Sequence, residues 1–260
     1  MNFEKFEINY GRMLNILIGF IGIIFISLGI LFRCCEVVRN ILLSIGTSIL
    51  ATSIVTLINA KYMLKLQDTE KIMSKWKIYG LYETKAYMNT QAADTALEQC
   101  KKSIDIIAEG LSNYRAAQGD TLKNKILDNN VKVRIISCDS SCMLSLRSQD
   151  ESSSGIDDGK SAVQKVIELN QWVEQLREEL GDRSDAIQIR YHSSYPGFSY
   201  LRIDKKIFVS TNLWKKQSQQ SFAMGFMDDG KGGKYFHNYF DKLWDSDFVH
   251  GECQLVKQKD

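Results

Sequence analysis

The sequence predicts one layered α/β domain carried on a pair of transmembrane helices. Two long uncharged segments, 13–32 and 40–60, stand near the start of the 260-residue chain. After residue 91, short runs that alternate apolar and polar residues are interleaved with amphipathic helical patterns. Strands that alternate with helices are typical of α/β layers, and the remaining length is enough for one complete hydrophobic core.

The uncharged segments predict a membrane hairpin over 1–60, with helices over about 13–32 and 40–60. Each has about 20 residues, the length that crosses a hydrocarbon core of roughly 30 Å as a helix. The first is too long for the core of a signal peptide, and a second hydrophobic segment follows it. Lysines and arginines are more numerous beside the two termini than in the loop, which carries Arg33 and Arg39. This bias predicts cytoplasmic termini, and we expect the bacterial inner membrane as the location.

The second helix carries one polar face. Its small and hydroxylated residues recur every three or four positions and therefore lie on one side of a helix. The face consists of Ser44, Thr47, Ser48, Thr52 and Thr56. Such a face permits close packing and interhelical hydrogen bonds, on the first helix or on a neighbouring copy; alternatively, it lines a polar path when several hairpins assemble. We therefore expect the lipid bilayer and further copies of this chain (a homo-oligomer) as partners.

The pattern over 61–90 predicts a juxtamembrane helix with a break at Gly80, followed by a soluble domain over 91–260. The helices of that domain are expected at 92–102, 122–128, 160–180 and 235–244. Its strands are expected at 103–110, 131–137, 187–192, 198–203, 207–210 and 222–227. The strongest pattern is the helix over 160–180, which has a continuous apolar stripe and a capping Gly181.

Composition argues against several classes of function. The net charge is only +2, which gives no general field for nucleic acid, and no specific nucleic-acid partner is expected. The six cysteines and three histidines form no recognisable metal-ligand spacing, so we expect reduced thiols and no metal. The glycine-rich run 230–234 lacks the spacing of a phosphate loop, and no cofactor is expected.

Several short segments of the soluble domain, taken together and in order, form a recognisable pattern. They are GLYETK at 80–85, IDIIAEGLS at 104–112, VKVRIISCDSS at 131–141, Arg147, YLRIDKKIFVSTNL at 200–213 and YFDKLW at 239–244. In this order they resemble the phospholipase D-like family, and more closely its degenerate one-copy members in bacterial sensory and regulatory proteins. The resemblance covers roughly Trp76 to Asp247 and implies an α/β sandwich.

The family's catalytic signature, His-x-Lys-x4-Asp, is incomplete in this chain. Asp204 matches the aspartate, and the stretch 210–213 matches the segment that follows the signature. Gly197 and Ser199 stand at the histidine and lysine positions. In active members the histidine is the nucleophile and the lysine binds phosphate, so the resemblance implies that this chain has no catalytic residue there.

The resemblance also implies a cleft at the strand ends, where α/β domains usually bind ligands. The candidate ligand-binding residues are Ser112, Asp139, Ser141, Arg147, Arg202, Asp204 and Asn212. Arginines that face one cleft would suit a phosphate or a carboxylate. For each residue the alternative is a solvated surface position or a structural ion pair.

The leading hypothesis is a membrane-anchored, non-catalytic sensor and effector. Its soluble domain would bind a small anionic, nucleotide-like ligand, and binding would reorganise or permeabilise the membrane through the hairpin. This architecture resembles two-helix effectors of bacterial anti-phage systems. One alternative is a membrane-bound phosphodiesterase or nuclease with a rearranged site that uses His192 or His237. Another is a passive scaffold that binds a protein partner.

Overall fold

The protein was analysed as a computed structural model, which describes residues 3–31, 36–153, 161–194, 197–213 and 217–257. The chain divides between Ile72 and Met73 into two compact units. The first contains the two long apolar helices, and the second contains the α/β domain. Cys34 and Cys35, in the predicted hairpin loop, lie outside the described residues.

The first unit confirms two helices of membrane-spanning length. Helix α1 is Phe3–Leu31 and helix α2 is Glu36–Trp76. Within them, Met13–Leu31 and Glu36–Asn59 are long and apolar enough to cross a membrane. Only 17% and 11% of these two windows is buried. A helix of a soluble core would bury its apolar residues, so the exposure supports membrane association.

Small residues bring the two spans together. A Cβ atom added to Gly46 would lie 2.8 Å from the carbonyl oxygen of Gly22, so only glycine permits this approach of the two backbones. Farther along, the Ser53 hydroxyl is 4% exposed and donates to the carbonyl oxygen of Asn15 at 2.7 Å. The packing side of α2 is therefore the side of Gly46 and Ser53.

The predicted polar face of α2 does not pack on α1. All five of its side chains, at positions 44, 47, 48, 52 and 56, are exposed. The Thr47, Thr52 and Thr56 hydroxyls donate to the carbonyl oxygens four residues earlier, at 2.7–2.8 Å. The sequence predicted that this face packs either on the first helix or on a neighbouring copy. Packing on the first helix is wrong, because the close contact between α1 and α2 is formed at glycine. Contact with a neighbouring copy stays a prediction.

The predicted juxtamembrane helix over 61–90 is wrong beyond Trp76. The backbone of Lys77 adopts φ 48°, a left-handed conformation that ends the helix. Strand β1, Ile78–Tyr82, follows and pairs with a later strand. Its alternating aromatic and aliphatic residues favour a strand once a partner strand is available. The α/β domain therefore begins near residue 73, earlier than the predicted residue 91.

The second unit contains one mixed eight-stranded sheet. Its other strands are β2 Ser103–Ile107, β3 Lys132–Cys138, β4 Ile187–His192, β5 Phe198–Ile203, β6 Lys206–Thr211, β7 Ala223–Met227 and β8 Val249–His250. The order is β1-β7-β6-β5-β2-β3-β4-β8. Strands β2, β3 and β4 are parallel, and the remaining pairs are antiparallel. The α/β fold class predicted from the sequence is confirmed.

Helices cover both faces of this sheet. They are α3 Lys85–Met88, α4 Asp94–Glu98, α5 Ser112–Asn129, α6 Ser141–Ser153, α7 Ala162–Leu180, α8 Lys231–Trp244 and α9 Gln254–Lys257. Helix α5 is longer than the predicted 122–128. Only Leu122 and Ile126 of this helix are fully buried, so its first half carries too little apolar periodicity to be predicted.

The hydrophobic core has two parts, one on each face. On the α5/α7 face, Ile104, Ile106 and Val133 pack with apolar residues of α5 and α7. On the α8 face, Ile107 and Ile136 pack with Phe240 and Trp244. The alternation of side chains along each strand assigns neighbouring residues to opposite faces. This alternation decides which polar residues can share a site.

Candidate functional site

A small cavity opens on the α5/α7 face, where β2 and β6 end and β5 begins. Its volume is about 140 Å³. The polar residues that line it include Lys85, Glu109, Ser112, Lys165, Ser199, Ser210 and Asn212. Pockets for drug-sized ligands measure about 300–1,000 Å³. The cavity is therefore sized for one small group rather than for a complete nucleotide.

Two serines on neighbouring strands lie in the wall of the cavity. Ser199 of β5 and Ser210 of β6 are directly opposite each other in the register. The Ser199 hydroxyl donates to the Asn212 side-chain oxygen at 3.3 Å. Ser210 is 2% exposed, and its hydroxyl has no hydrogen-bond partner among the described residues. A buried hydroxyl without a partner is costly, so its retention beside a cavity favours a ligand.

Lys85 supplies a positive charge to the cavity. It is the first residue of α3, after Thr84, whose hydroxyl accepts from the Tyr87 N–H at 3.1 Å. The Lys85 side chain is partly buried, and no acceptor or carboxylate of the described chain pairs with its ammonium. Desolvation lowers the pKa of Lys85 to about 8, although the charge of Glu109 acts in the opposite direction. The side chain can therefore change its protonation state near neutral pH.

Glu109 is the acidic group of the cavity, and Arg147 stands behind it. The Arg147 Nε lies 3.8 Å from the Glu109 Oε2, and Arg147 is 8% exposed. The Ser137 hydroxyl donates to the Glu109 carbonyl oxygen at 2.7 Å and fixes the backbone there. Arg147 is not a lining residue. It is connected to the cavity through Glu109.

Ser112 begins helix α5 at the rim of the cavity. Its buried hydroxyl also has no hydrogen-bond partner within the described part of the chain. The preceding residue, Leu111, has φ 53°, which turns the chain sharply into the helix. The first N–H groups of a helix have no intrahelical acceptors and carry a partial positive charge. Together with Ser210 and Lys85, this helix end favours an anion in the cavity.

Two of the predicted ligand residues, Asp139 and Ser141, lie at the end of β3 but do not line the cavity. Asp139 is 3% exposed and accepts from the Gln254 N–H at 3.0 Å. Its Oδ2 lies 3.5 Å from the Nε2 of His250. Ser141 is exposed at the start of α6. Asp139 therefore fixes the C-terminal segment to the sheet.

Arg202 projects to the α8 face of the sheet, the opposite side from the cavity. Its Nη1 donates to the Oδ2 of Asp105 at 2.8 Å. Asp105 is 1% exposed and also accepts from the Arg134 Nε at 2.7 Å. The Arg134 Nη2 also donates to the Oδ1 of Asp241 at 3.0 Å. The His237 Nε2 lies 2.9 Å from the Oδ2 of Asp241. These five residues form a closed network, which we call the α8 network.

Asp204 stabilises a turn at the other end of the sheet. It lies between β5 and β6 with φ 50°, and its carboxylate accepts from the backbone N–H groups of Lys101, Lys102 and Ser103 at 2.8–3.0 Å. Burial opposes ionisation, but these hydrogen bonds outweigh it and lower the pKa of Asp204. The role of this residue in the structure is to join the β5–β6 turn to the start of β2.

The structure thus brings together only part of the predicted site. Ser112 and Asn212 line the cavity, and Arg147 stands behind Glu109. Asp139, Ser141, Arg202 and Asp204 lie elsewhere. The predicted ligand residues did not include Lys85, Glu109, Lys165, Ser199 or Ser210. The serines carried a usable signal, because the next residue on the same side of each strand, Leu201 or Phe208, packs in the hydrophobic core.

No protein-family model matches the sequence, and no curated protein matches it. Solved structures with similar folds include TrmBL2, an archaeal chromatin protein that binds DNA, at 10% identity and a TM-score of 0.41, covering 80% of this chain and 70% of that one. NucT from Helicobacter pylori has 13% identity and a TM-score of 0.39, and covers 66% of this chain and 98% of its own.

A third similar structure is phosphatidylserine synthase from Haemophilus influenzae Rd KW20, at 12% identity and a TM-score of 0.37. The match covers 66% of this chain and 38% of that protein. At these scores and identities, the similarities carry no argument about activity.

Proposed function

We propose that the protein is a membrane-anchored sensor whose α/β domain binds a small anionic group without hydrolysing it. One observation carries this proposal. The cavity brings the Lys85 side chain together with the Ser112 and Ser210 hydroxyls, which are buried without a hydrogen-bond partner among the described residues. Buried polar groups are normally hydrogen-bonded, so a bound anion would supply the acceptor that these hydroxyls lack, beside a cationic side chain.

The residues that line the cavity argue against hydrolysis. None of the three histidines, all of which are described, lines it. His192 contacts Ser194, His237 belongs to the α8 network, and His250 lies beside Asp139. Ser199 has no histidine near it to accept its proton. The cavity therefore holds groups that bind an anion and no activated nucleophile.

The size of the cavity specifies what enters it. A phosphate or carboxylate group fits a volume of about 140 Å³, whereas a base and a sugar would remain outside. A nucleotide-like ligand would therefore insert one terminal anionic group. The proposal therefore specifies the anionic group that enters the cavity and not the complete ligand.

In this proposal the hairpin carries the response. A ligand can change the assembly of hairpins only if it binds the two assembly states with different affinities. The exposed hydroxyl face of α2 is the surface through which copies would meet. We extend the proposal to the bacterial inner membrane with cytoplasmic termini, and to an anti-phage effector, on the basis of the charge bias and the architecture.

Isothermal titration of the full-length protein in detergent micelles tests the binding step. The probes are inorganic phosphate, sulfate, AMP and a cyclic dinucleotide. We expect phosphate, sulfate and AMP to bind, and Lys85→Met to weaken binding about 10- to 100-fold. Lys132→Met is the matched control, because Lys132 is an exposed lysine at the start of β3. If no probe binds, the proposed function is wrong.

A hydrolysis assay separates the sensor from the enzyme. We expect the full-length protein to leave bis(p-nitrophenyl) phosphate and single-stranded nucleic acid intact. Cleavage that disappears in His192→Ala or His237→Ala would instead establish the phosphodiesterase alternative.

Growth of a bacterial host during controlled expression tests the membrane response. We expect growth arrest, relieved by the triple variant Thr47→Val, Ser48→Ala, Thr52→Val and retained by the control Ile54→Val, another exposed position on α2. If expression leaves growth unchanged with and without a phage challenge, the protein is a passive scaffold.

A further inference from the structure

The side of the sheet that lines the cavity carries one polar row and one apolar row of side chains. Ser199 of β5 and Ser210 of β6 are direct partners in the register and form the polar row. Two residues along the same strands, Leu201 and Phe208 are again direct partners, and Leu201 is also opposite Ile106 of β2. These three form the apolar row and also line the cavity. The sheet therefore presents both hydroxyl groups and hydrocarbon to the same small space.

The two rows are close enough for one small ligand to contact both. Successive side chains on one side of a strand are two residues apart, which is about 6.7 Å. The short helix α3 repeats the division, because Lys85 and Met88 are three residues apart on it and both line the cavity. A ligand of a few atoms can therefore place one end among polar groups and the other end against hydrocarbon.

An inorganic oxyanion suits only one of the two rows. Phosphate and sulfate carry oxygen atoms on every side, so some of these oxygens would face Leu201 and Phe208, and a polar group buried without a hydrogen bond costs free energy. A carboxylate on a hydrocarbon chain has both oxygens at one end. These oxygens can accept from the Ser112 and Ser210 hydroxyls, which have no partner among the described residues, while the chain covers the apolar row.

We propose that the cavity selects a short-chain carboxylate, a single carboxylate group on an unbranched hydrocarbon chain, over an inorganic oxyanion. The proposal rests on the proposed function, because it requires the cavity to accept a small anionic group, and it specifies the class of molecule that carries this group. The volume of about 140 Å³ limits the chain to a few carbon atoms. Each methylene group buried on the apolar row raises the affinity about fourfold.

Isothermal titration of the full-length protein in detergent micelles tests the proposal, with empty micelles as the blank. The probes are acetate, propionate, butyrate and hexanoate, together with sulfate, which has charge without hydrocarbon, and butan-1-ol, which has hydrocarbon without charge. We expect the affinity to rise about fourfold per methylene group from acetate to butyrate and to stop rising once the chain outgrows the cavity. Butyrate should bind more tightly than sulfate or butan-1-ol, and excess sulfate should displace it.

Ile106→Val is the matched variant, because it removes one methyl group from the apolar row. Ile104→Val is its control, since Ile104 is buried on the same strand and the same face but does not line the cavity. We expect Ile106→Val to lengthen the preferred carboxylate by about one carbon atom, because the deletion leaves space in the wall. The control should keep the preference of the wild type.

Equal affinities for acetate, butyrate and sulfate would overturn the preference for a carboxylate and leave the proposed function standing. The same preferred chain length in Ile106→Val and Ile104→Val would also overturn it, because the chain would then lie away from the apolar row. Butan-1-ol bound as tightly as butyrate, without detectable binding of sulfate, would overturn the proposed function and this proposal with it.

Discussion

The two faces of the sheet differ in how their buried charged residues are paired. On the α8 face, Asp105 is 1% exposed and accepts hydrogen bonds from both Arg134 and Arg202. On the α5/α7 face, the partly buried Lys85 ammonium feels the charge of Glu109 but forms no ion pair at contact distance with a described residue. Charges that are buried as pairs hold a fold together when their geometry is good, whereas a single buried charge only costs stability. The comparison assigns structure to one face and ligand binding to the other.

Aromatic residues reinforce the network on the α8 face. The Arg134 guanidinium lies 4.8 Å from the ring centre of Phe240 and 5.5 Å from that of Trp244. Such contacts add attraction when the cation is desolvated. Arg134 thus joins the sheet to α8 by charge and by packing together.

The largest expected effect is that of Asp105→Ala. It leaves Arg134 and Arg202 without their shared buried carboxylate, and breaking such a network costs about 3–5 kcal/mol. We expect the free energy of unfolding to fall by that amount in urea titrations of the full-length protein in detergent. Sulfate affinity should not change in the fraction that stays folded.

Asp241→Ala gives a graded control for this prediction. Its side chain is 40% exposed, and an exposed partner contributes about 0–1 kcal/mol. If Asp105→Ala removed sulfate binding without a loss of stability, the α8 face would be part of the binding site and the comparison would be wrong.

The second effect is that of Lys85→Met on binding. A hydrogen bond to a charged group contributes about 1.5–3 kcal/mol, so we expect sulfate affinity to fall about 10- to 100-fold in calorimetric titration. Stability should stay equal or rise, since the variant removes a partly buried charge whose desolvation outweighs its attraction to Glu109. A variant that melts earlier and still binds sulfate would reverse the roles of the two faces.

The sequence predicted the sheet better than it predicted the site. The strands at 187–192 and 198–203 were predicted with their correct bounds, because their β-rich alternation is a local property. Strand β1 was missed, since it follows directly on α2 and becomes a strand only by pairing with β7.

The site depends on tertiary facts that a linear pattern does not contain. Arg202 and Leu201 are neighbours in sequence, but they lie on opposite faces of the sheet. Alternation separates the two sides of a strand, yet it does not say which side holds the cavity. In the sequence, Lys85 was noticed only as the last residue of the segment GLYETK, one of those that carry the family resemblance. Its position in the wall of the cavity became visible only in the structure.

The third effect is a pH dependence carried by Lys85. Desolvation lowers its pKa to about 8, so anion affinity should fall as the pH rises through 8, by about tenfold per pH unit above it. Sulfate is the suitable probe, because it does not titrate in this range. Lys85→Arg should bind with an affinity that is constant between pH 7 and 9. A wild-type affinity without any pH dependence would show that Lys85 does not contact the anion.

Stability should change with pH in the opposite direction. Between pH about 8 and the ordinary lysine value near 10.4, the unfolded chain holds a proton on Lys85 that the folded chain has released. Stability rises with pH wherever the unfolded state binds more protons. The difference in unfolding free energy between wild type and Lys85→Met should therefore shrink from pH 8 to pH 10.

The smallest effect is expected from two buried serines, of which one has a hydrogen-bond partner and the other has none among the described residues. The Ser210 hydroxyl has none among the described residues, whereas the Ser137 hydroxyl donates to the Glu109 carbonyl oxygen at 2.7 Å. A net hydrogen bond contributes about 0.5–1.5 kcal/mol. We expect Ser137→Ala to lower the unfolding free energy by about 1 kcal/mol and Ser210→Ala to leave it unchanged or raise it slightly. Ser210→Ala should instead weaken sulfate binding by about 1 kcal/mol, because its hydroxyl is satisfied only when the anion is bound. If both variants lost equal stability and neither lost affinity, Ser210 would be an ordinary core residue.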